Sequence, residues 1–234
     1  MSIITFLKRI KTIYDNDASL IKSLYYNFKW LPVSQAKQLP MIIGKGTKIY
    51  GNGNISLKWE GRNPQIYIGC KALDWLDEKR DSTVLVINGD FMISQKNFIG
   101  LGSRLEVAKG GRLIFNKGVN ITGMTKLICR NNIEFSEDVL ISWDTLFMDS
   151  DAHTIVNSEG KINYDGTIRL GNHVWIGAKS TVLKNSVIPD DVVIASSSLV
   201  QGNYNESNCI IAGNKAQVVK TGVHWFIEKP CSKS

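Results

Sequence analysis

With 234 residues, 43% of them hydrophobic, the chain can bury a good core, and one elongated domain with an N-terminal extension is expected over two equal domains. The formal net charge of +7 suits an anionic partner such as a nucleotide-bearing cofactor, a sugar phosphate or a membrane surface, while the lack of any RNA- or DNA-binding motif argues against nucleic acid. Cys70, Cys129, Cys209 and Cys231 have neither the CxxC spacing of a zinc site nor the pattern of a disulfide framework, so no metal is expected and a reducing cytoplasm fits best.

Residues 1–40 form a helical segment. Ile3, Ile4, Leu7, Ile10, Ile13 and Tyr14 follow helical spacing with Lys8, Arg9 and Lys11 between them, and a second run from Leu20 to Trp30 carries Leu24, Tyr25, Tyr26 and Phe28. The first run is too short and too basic inside to span a membrane, and no small-residue cleavage site follows it, which excludes a signal peptide. Two readings stay open. The helices cap whatever follows, or pack on a neighbouring subunit; or they form a basic-aromatic anchor at the inner face of a membrane.

From Pro40 the composition turns to β-branched residues and glycine, so residues 41–83 read as short strands leading into the main domain. Ala72–Ser82, with Asp74, Asp77, Glu78, Lys79, Arg80 and Asp81, interrupts them as a solvated excursion to which no function attaches. Near Val84 a period of six begins: Ile87, Ile93 and Ile99; Leu101, Val107 and Leu113; Phe115, Ile121, Leu127 and Ile133; then Phe135, Ile141 and Phe147. The changes of phase between these series imply small insertions.

The period is cleanest from Ile168 to Val200. Leu170, Ile176, Val182, Ile188, Ile194 and Val200 recur every six residues, with Val174, Ser180, Ser186, Val192 and Ser198 as a second series. In a helix such a series scatters around the whole surface, whereas in extended chain six is a multiple of two and every member points to one side. Strands run only about 3–10 residues, so a pattern this long must fold over at regular corners. The expectation is a mainly β fold, a parallel β-helix of hexapeptide repeats spanning 84–221 with a tail at 222–234. Ordinary hairpins would need primed-turn glycines, which Lys184-Asn185 and Pro189-Asp190 do not supply. Ile188 is read as core and Lys184 as exposed.

Between Phe147 and Leu170 lie twenty-three positions, not a multiple of six, so a loop must leave the coil, at about 154–167 where Asn157-Ser158-Glu159-Gly160 and Asp165-Gly166 are turn-rich. At its root stands Asp149-Ser150-Asp151-Ala152-His153. Acyl transfer to a hydroxyl needs a group that is neutral near pH 7 and can take the hydroxyl proton as oxygen attacks a thioester. His153 suits that task, and Asp149 or Asp151 could hold its other ring nitrogen. Spacing after Val139 and Thr145 aims Asp151 inward and Asp149 outward. His173, at a corner and solvated, and His224, in the tail, receive no role.

Gly171-Asn172-His173-Val174-Trp175-Ile176-Gly177-Ala178, followed by Ile211-Ala212-Gly213-Asn214-Lys215-Ala216-Gln217-Val218-Val219-Lys220, resembles the hexapeptide-repeat acyltransferases, and most closely their O-acetyltransferase branch. The resemblance implies a left-handed coil, a homotrimer with active sites in the clefts between coils, and acetyl-CoA as donor. It supports His153 as the base. It implies a pantetheine arm lying along Trp175, Gly177 and Ala178, with Ser196, Ser197, Gly213 and Asn214 at the lower end and Lys220 near the phosphates. The function implied is cytoplasmic O-acetylation of a sugar hydroxyl on a glycan acceptor in surface polysaccharide assembly. N-acetylation of a nucleotide-linked amino sugar is the enzymatic alternative, and a non-catalytic scaffold is the alternative from another class.

Overall fold

A computed structural model describes residues 3–59 and 65–227, with side chains from Phe6 onward; Cys231 lies outside the described residues. Up to Cys209–Gly213, strands pass from sheet to sheet and pair in parallel with the strand one coil further on. Among the described residues this gives a first sheet of nine strands (Met41–Ile43 to Ala216–Thr221), a second of seven (Lys48–Tyr50 to Leu199–Val200) and a third of six (Asn54–Lys58 to Ser186–Ile188). The result is a three-faced prism. Its first corner joins the first and second sheets, its second corner the second and third, and its third corner the third and first.

The register explains the period. Leu170 pairs with Ile188, Ile176 with Ile194 and Val182 with Val200, each eighteen residues on, which is three hexapeptides per coil. In earlier coils Phe98 pairs with Asn120 and Asn120 with Leu140, twenty-two and twenty residues on, so two to four extra residues sit at corners and shift the phase. Every member of the repeating series is buried. Phe91, Phe115, Phe135 and Phe147 form a ladder with ring centroids 5.0–5.1 Å apart, each worth about 1.5–3 kcal/mol of burial. Ser180, Ser186 and Ser198 are small enough to turn back at corners, where their hydroxyls donate to the carbonyls of Ala195, Leu183 and Ala195.

The coil starts earlier than Val84. Met41–Ile43, Lys48–Tyr50, Asn54–Lys58 and Ile66–Cys70 are already rungs of the three sheets. Met41 pairs with Ile66 and Ile66 with Asn97, so corner excursions of seven and thirteen residues beyond eighteen hide the repeat there. At the other end the parallel ladder stops at Cys209–Gly213, and Ala216–Thr221 folds back antiparallel on it.

Helices α1 (Ile3–Asp15), α2 (Leu20–Trp30) and α3 (Val33–Ala36) close the N-terminal end. Each first rung has an edge with no strand beside it, and buried backbone groups there need partners. On the first sheet Asn27 accepts from Met41 N (3.1 Å) and donates to Met41 O (2.7 Å), while Ser23 Oγ accepts from Ile43 N (3.0 Å). On the second, Tyr26 OH accepts from Ile49 N (3.2 Å); on the third, Gln35 Nε2 donates to Leu57 O (3.4 Å). The segment is therefore a cap. No helix among the described residues is long and apolar enough to cross a membrane.

Candidate active site

The strand Leu146–Met148 runs to the second corner, where the chain leaves the coil at Asp149 and returns at Thr167. Asp149 is fully buried, the reverse of its expected direction. Its carboxylate accepts from Arg130 N (2.7 Å) and Asn131 N (2.9 Å), its carbonyl accepts from Gly166 N (2.8 Å), and Asn131 Nδ2 donates to Gly166 O (2.7 Å). Both ends of the loop are thus pinned to the preceding coil. Burial raises the Asp149 carboxyl above its ordinary range against the pull of the two N–H groups, and burial beside that charge pushes the Cys129 thiol up to about 12.

Asp151, expected to point inward, is instead half-exposed. Its Oδ2 accepts from Asn163 Nδ2 (2.7 Å) and from Lys184 Nζ (2.6 Å), and Lys184 also donates to Tyr164 O (2.9 Å). Lys184, expected outside, is only 5% exposed because the loop folds over it. The period-two argument fails past Met148 because the chain there is no longer a strand.

His153 is exposed two residues after this brace, and no side chain among the described residues bonds to it. Ala152 enters the left-handed region (φ 61°) and donates its N–H to Ser150 Oγ (3.0 Å), which turns the chain outward before His153. Neither aspartate orients the imidazole within one chain. Beyond it the loop closes as a small hairpin, bridged at Val156 and Ile162 and turned by Asn157, whose Oδ1 accepts from Glu159 N and Lys161 N. Ile155, Val156, Ile162 and Tyr164 on this hairpin stand open to solvent.

The residues expected to hold the donor gather on the first corner. Gly177-Ala178, Ser196-Ser197 and Gly213-Asn214 lie at the C-terminal ends of the first-sheet strands Trp175–Ile176, Val192–Ile194 and Cys209–Gly213, so they stack coil by coil. Gly177 is explained by the stacking itself: a Cβ there would lie 2.5 Å from Ser196 N. Trp175 stands outside the coil, as expected, and donates Nε1–H to Ser142 Oγ (3.1 Å). Lys220 lies apart, opposite Ile210 on the returning strand. The tail supplies a residue that sequence patterning gave no sign of. Trp225 is buried, stacks on His173 (4.1 Å, 7°) and donates to its carbonyl, while His173 Nδ1 meets Asp191 Oδ1 at 2.8 Å. His173 is thereby half-covered rather than freely solvated.

The two sets do not meet within one chain. The column of residues expected to hold the donor is on the first corner and the loop on the second, with the second sheet between them, about 10 Å for a three-residue strand.

No family model matches the chain. It is 31% identical over 166 residues to an uncharacterised 24.8 kDa protein of the cps region of Klebsiella pneumoniae, covering 70% of this chain and 72% of that one. It is 27% identical over 135 residues to the provisionally named lipopolysaccharide biosynthesis O-acetyl transferase WbbJ of Escherichia coli K12, covering 53% and 68%. Among solved structures the polySia-specific acetyltransferase NeuO superposes with a TM-score of 0.55 at 20% identity, over 83% of this chain and 78% of that one. The chain belongs to the hexapeptide-repeat acyltransferases, in their O-acetyltransferase branch. The left-handed parallel β-helix of these acyltransferases is its fold. As an acyltransferase it carries an exposed histidine on the extruded loop; among the described residues His224, in the tail, is exposed as well, while His173 is half-covered.

Proposed function

We propose that this acyltransferase moves an acetyl group from acetyl-CoA to a sugar hydroxyl during assembly of a surface polysaccharide, with His153 as general base. The observation that carries the reading is the position of His153, solvent-facing and unbonded on a loop whose root is pinned by Asp149 and braced by Asp151. The name of the WbbJ relative supports O- over N-acetylation.

Neutral His153 takes the acceptor hydroxyl proton as the oxygen attacks the thioester carbonyl. When the tetrahedral intermediate collapses, the imidazolium returns the proton to the departing CoA thiolate, so no net proton is consumed. Asp149 and Asp151 act as positioning residues. The first-corner column suits an extended donor: Ala178, Ser196, Ser197 and Asn214 leave an open track, with Trp175 beside it and the chain's net positive charge favouring a nucleotide phosphate.

Because column and loop occupy different corners, the site is completed between copies in a homotrimer, the loop of one copy reaching the column of the next; the exposed apolar hairpin supports this. A place at the inner face of the membrane is proposed with it. His153→Ala should lower turnover by roughly 10²–10⁴-fold while leaving acetyl-CoA binding nearly intact, read as free CoA released with and without candidate glycans. Near-normal turnover would remove His153 as the base, and acceptor-independent silence of the wild type would favour a scaffold.

A further inference from the structure

The excursion between the strands Ile66–Cys70 and Val84–Ile87 rises from the first corner, the same corner as the donor column. It carries Trp75, 59% exposed, whose ring meets that of Trp143, 38% exposed, edge-on at 6.4 Å and 78°. Trp143 is the next step of the column above Ala178, since its carbonyl accepts from Lys179 N (3.0 Å). Two indoles left open to water on one corner call for a ligand with an apolar face and a polar rim. A pyranose ring is such a ligand, its C–H face stacking on indole and its hydroxyls bonding around the edge.

Height along the coil decides which substrate meets this pair. Rotation about an axis parallel to the coil keeps each residue at its level, so a neighbour's His153, which leaves the coil just past Met148, arrives at the level of Trp143. The donor track runs from Ala178 toward Asn214, away from that level in the C-terminal direction. The acceptor must therefore come from the N-terminal side, where Trp143 and Trp75 stand.

Trp75 also walls a cavity of about 650 Å³ bearing the carboxylates of Asp15, Asp17, Asp74, Asp77 and Glu78 with Lys71. Lys45 pairs with Asp17, and Arg80 lies 3.7 Å from Asp77, which leaves negative charge in excess. An acidic sugar would enter against like charge, whereas hydroxyl groups find acceptors.

We propose that Trp75 and Trp143 form the acceptor platform and that the acid-lined cavity beside them restricts it to uncharged glycans. This rests on the assignment of His153 and the first-corner donor track. Binding is measured on the full chain by saturation-transfer NMR, with a mixture of neutral hexose and N-acetylhexosamine oligosaccharides and with oligosialic acid. The neutral mixture should bind at least about tenfold tighter, Trp75→Ala should lose about tenfold of that, and Trp75→Tyr should recover most of it. Trp75→Ala should raise the acceptor KM with kcat and the acetyl-CoA KM little changed, and Asp74→Asn should narrow the discrimination against oligosialic acid. His153→Ala should bind glycan as wild type does, so a failure of the base assignment leaves the platform standing. Unchanged binding by Trp75→Ala with an unaltered melting curve, equal or tighter binding of oligosialic acid, binding of neither probe, or a raised KM for acetyl-CoA in place of the acceptor would each overturn the proposal.

Discussion

Lys184 has its ammonium group almost sealed from water, with Asp151 Oδ2 and Tyr164 O as acceptors. Removing it leaves Asp151 half-exposed and able to rehydrate, so Lys184→Met should cost only about 1–2 kcal/mol, less than a fully buried pair would. For a chain this size that is a fall of about 2–8 °C in Tm. The loop root would be freer, and kcat should fall about tenfold with the acetyl-CoA KM little changed. Lys184→Asp, which a corner position facing solvent would tolerate, should instead melt lower still, because it sets a second carboxylate against Asp151. Equal melting curves for wild type and Lys184→Asp would remove the brace. The hexapeptide frame does not reveal this contact, since it says which way a residue leaves the coil and nothing about a loop from thirty-three positions upstream that covers it.

The helical cap divides its work between two faces of one element. Ser23 and Asn27 of α2 face the coil, while Ile21, Tyr25 and Phe28, at i, i+4 and i+7, are exposed on the opposite side with Lys29 beside them. On α1, Leu7, Lys8, Lys11 and Tyr14 are exposed as well. An apolar stripe edged by lysine gains from anionic lipid by burial and by charge, and the second part must weaken with salt. The protein should float with anionic vesicles at low salt and less at high salt. Phe28→Glu should abolish flotation without shifting the melting curve, and Asn27→Leu should lower the melting temperature with flotation unchanged. Flotation by neither wild type nor variant would leave the cap as the whole role of the segment. The sequence made both helices legible almost to the residue, because 3.6-residue spacing is a local property. It left cap and anchor open because the choice depends on which side meets the edges of Met41, Ile49 and Leu57. The same limit hid the first coils, where long corner excursions break the count of eighteen, whereas in Ile168–Val200, with no insertion, the inward series was readable residue by residue while the corner residues Lys184 and His173 were not.

At the scale of the whole molecule, the proposed donor column and the loop that carries the proposed base lie a sheet's width apart. A site built within one chain and a site built between two predict opposite outcomes when two inactive variants are mixed. His153→Ala keeps the column and lacks the base; Ala178→Glu keeps the base and sets a bulky negative charge in the track of the nucleotide-bearing donor. Each should be inactive alone. When both are expressed together with different tags and carried through two affinity steps, a trimer with shared sites contains interfaces where an intact His153 faces an intact column. Random assembly at equal expression makes about a quarter of all interfaces of that kind, with the rest missing one part or both. Doubly tagged trimers should therefore regain on the order of a quarter of wild-type turnover, somewhat more after selection for mixed species. If each coil completed its own site, every chain in the mixture would still carry its own lesion and no activity would return. Absence of rescue in verified mixed trimers would mean that the loop swings across the second sheet of its own chain, and the exposed Ile155, Val156, Ile162 and Tyr164 would then have to cover that sheet.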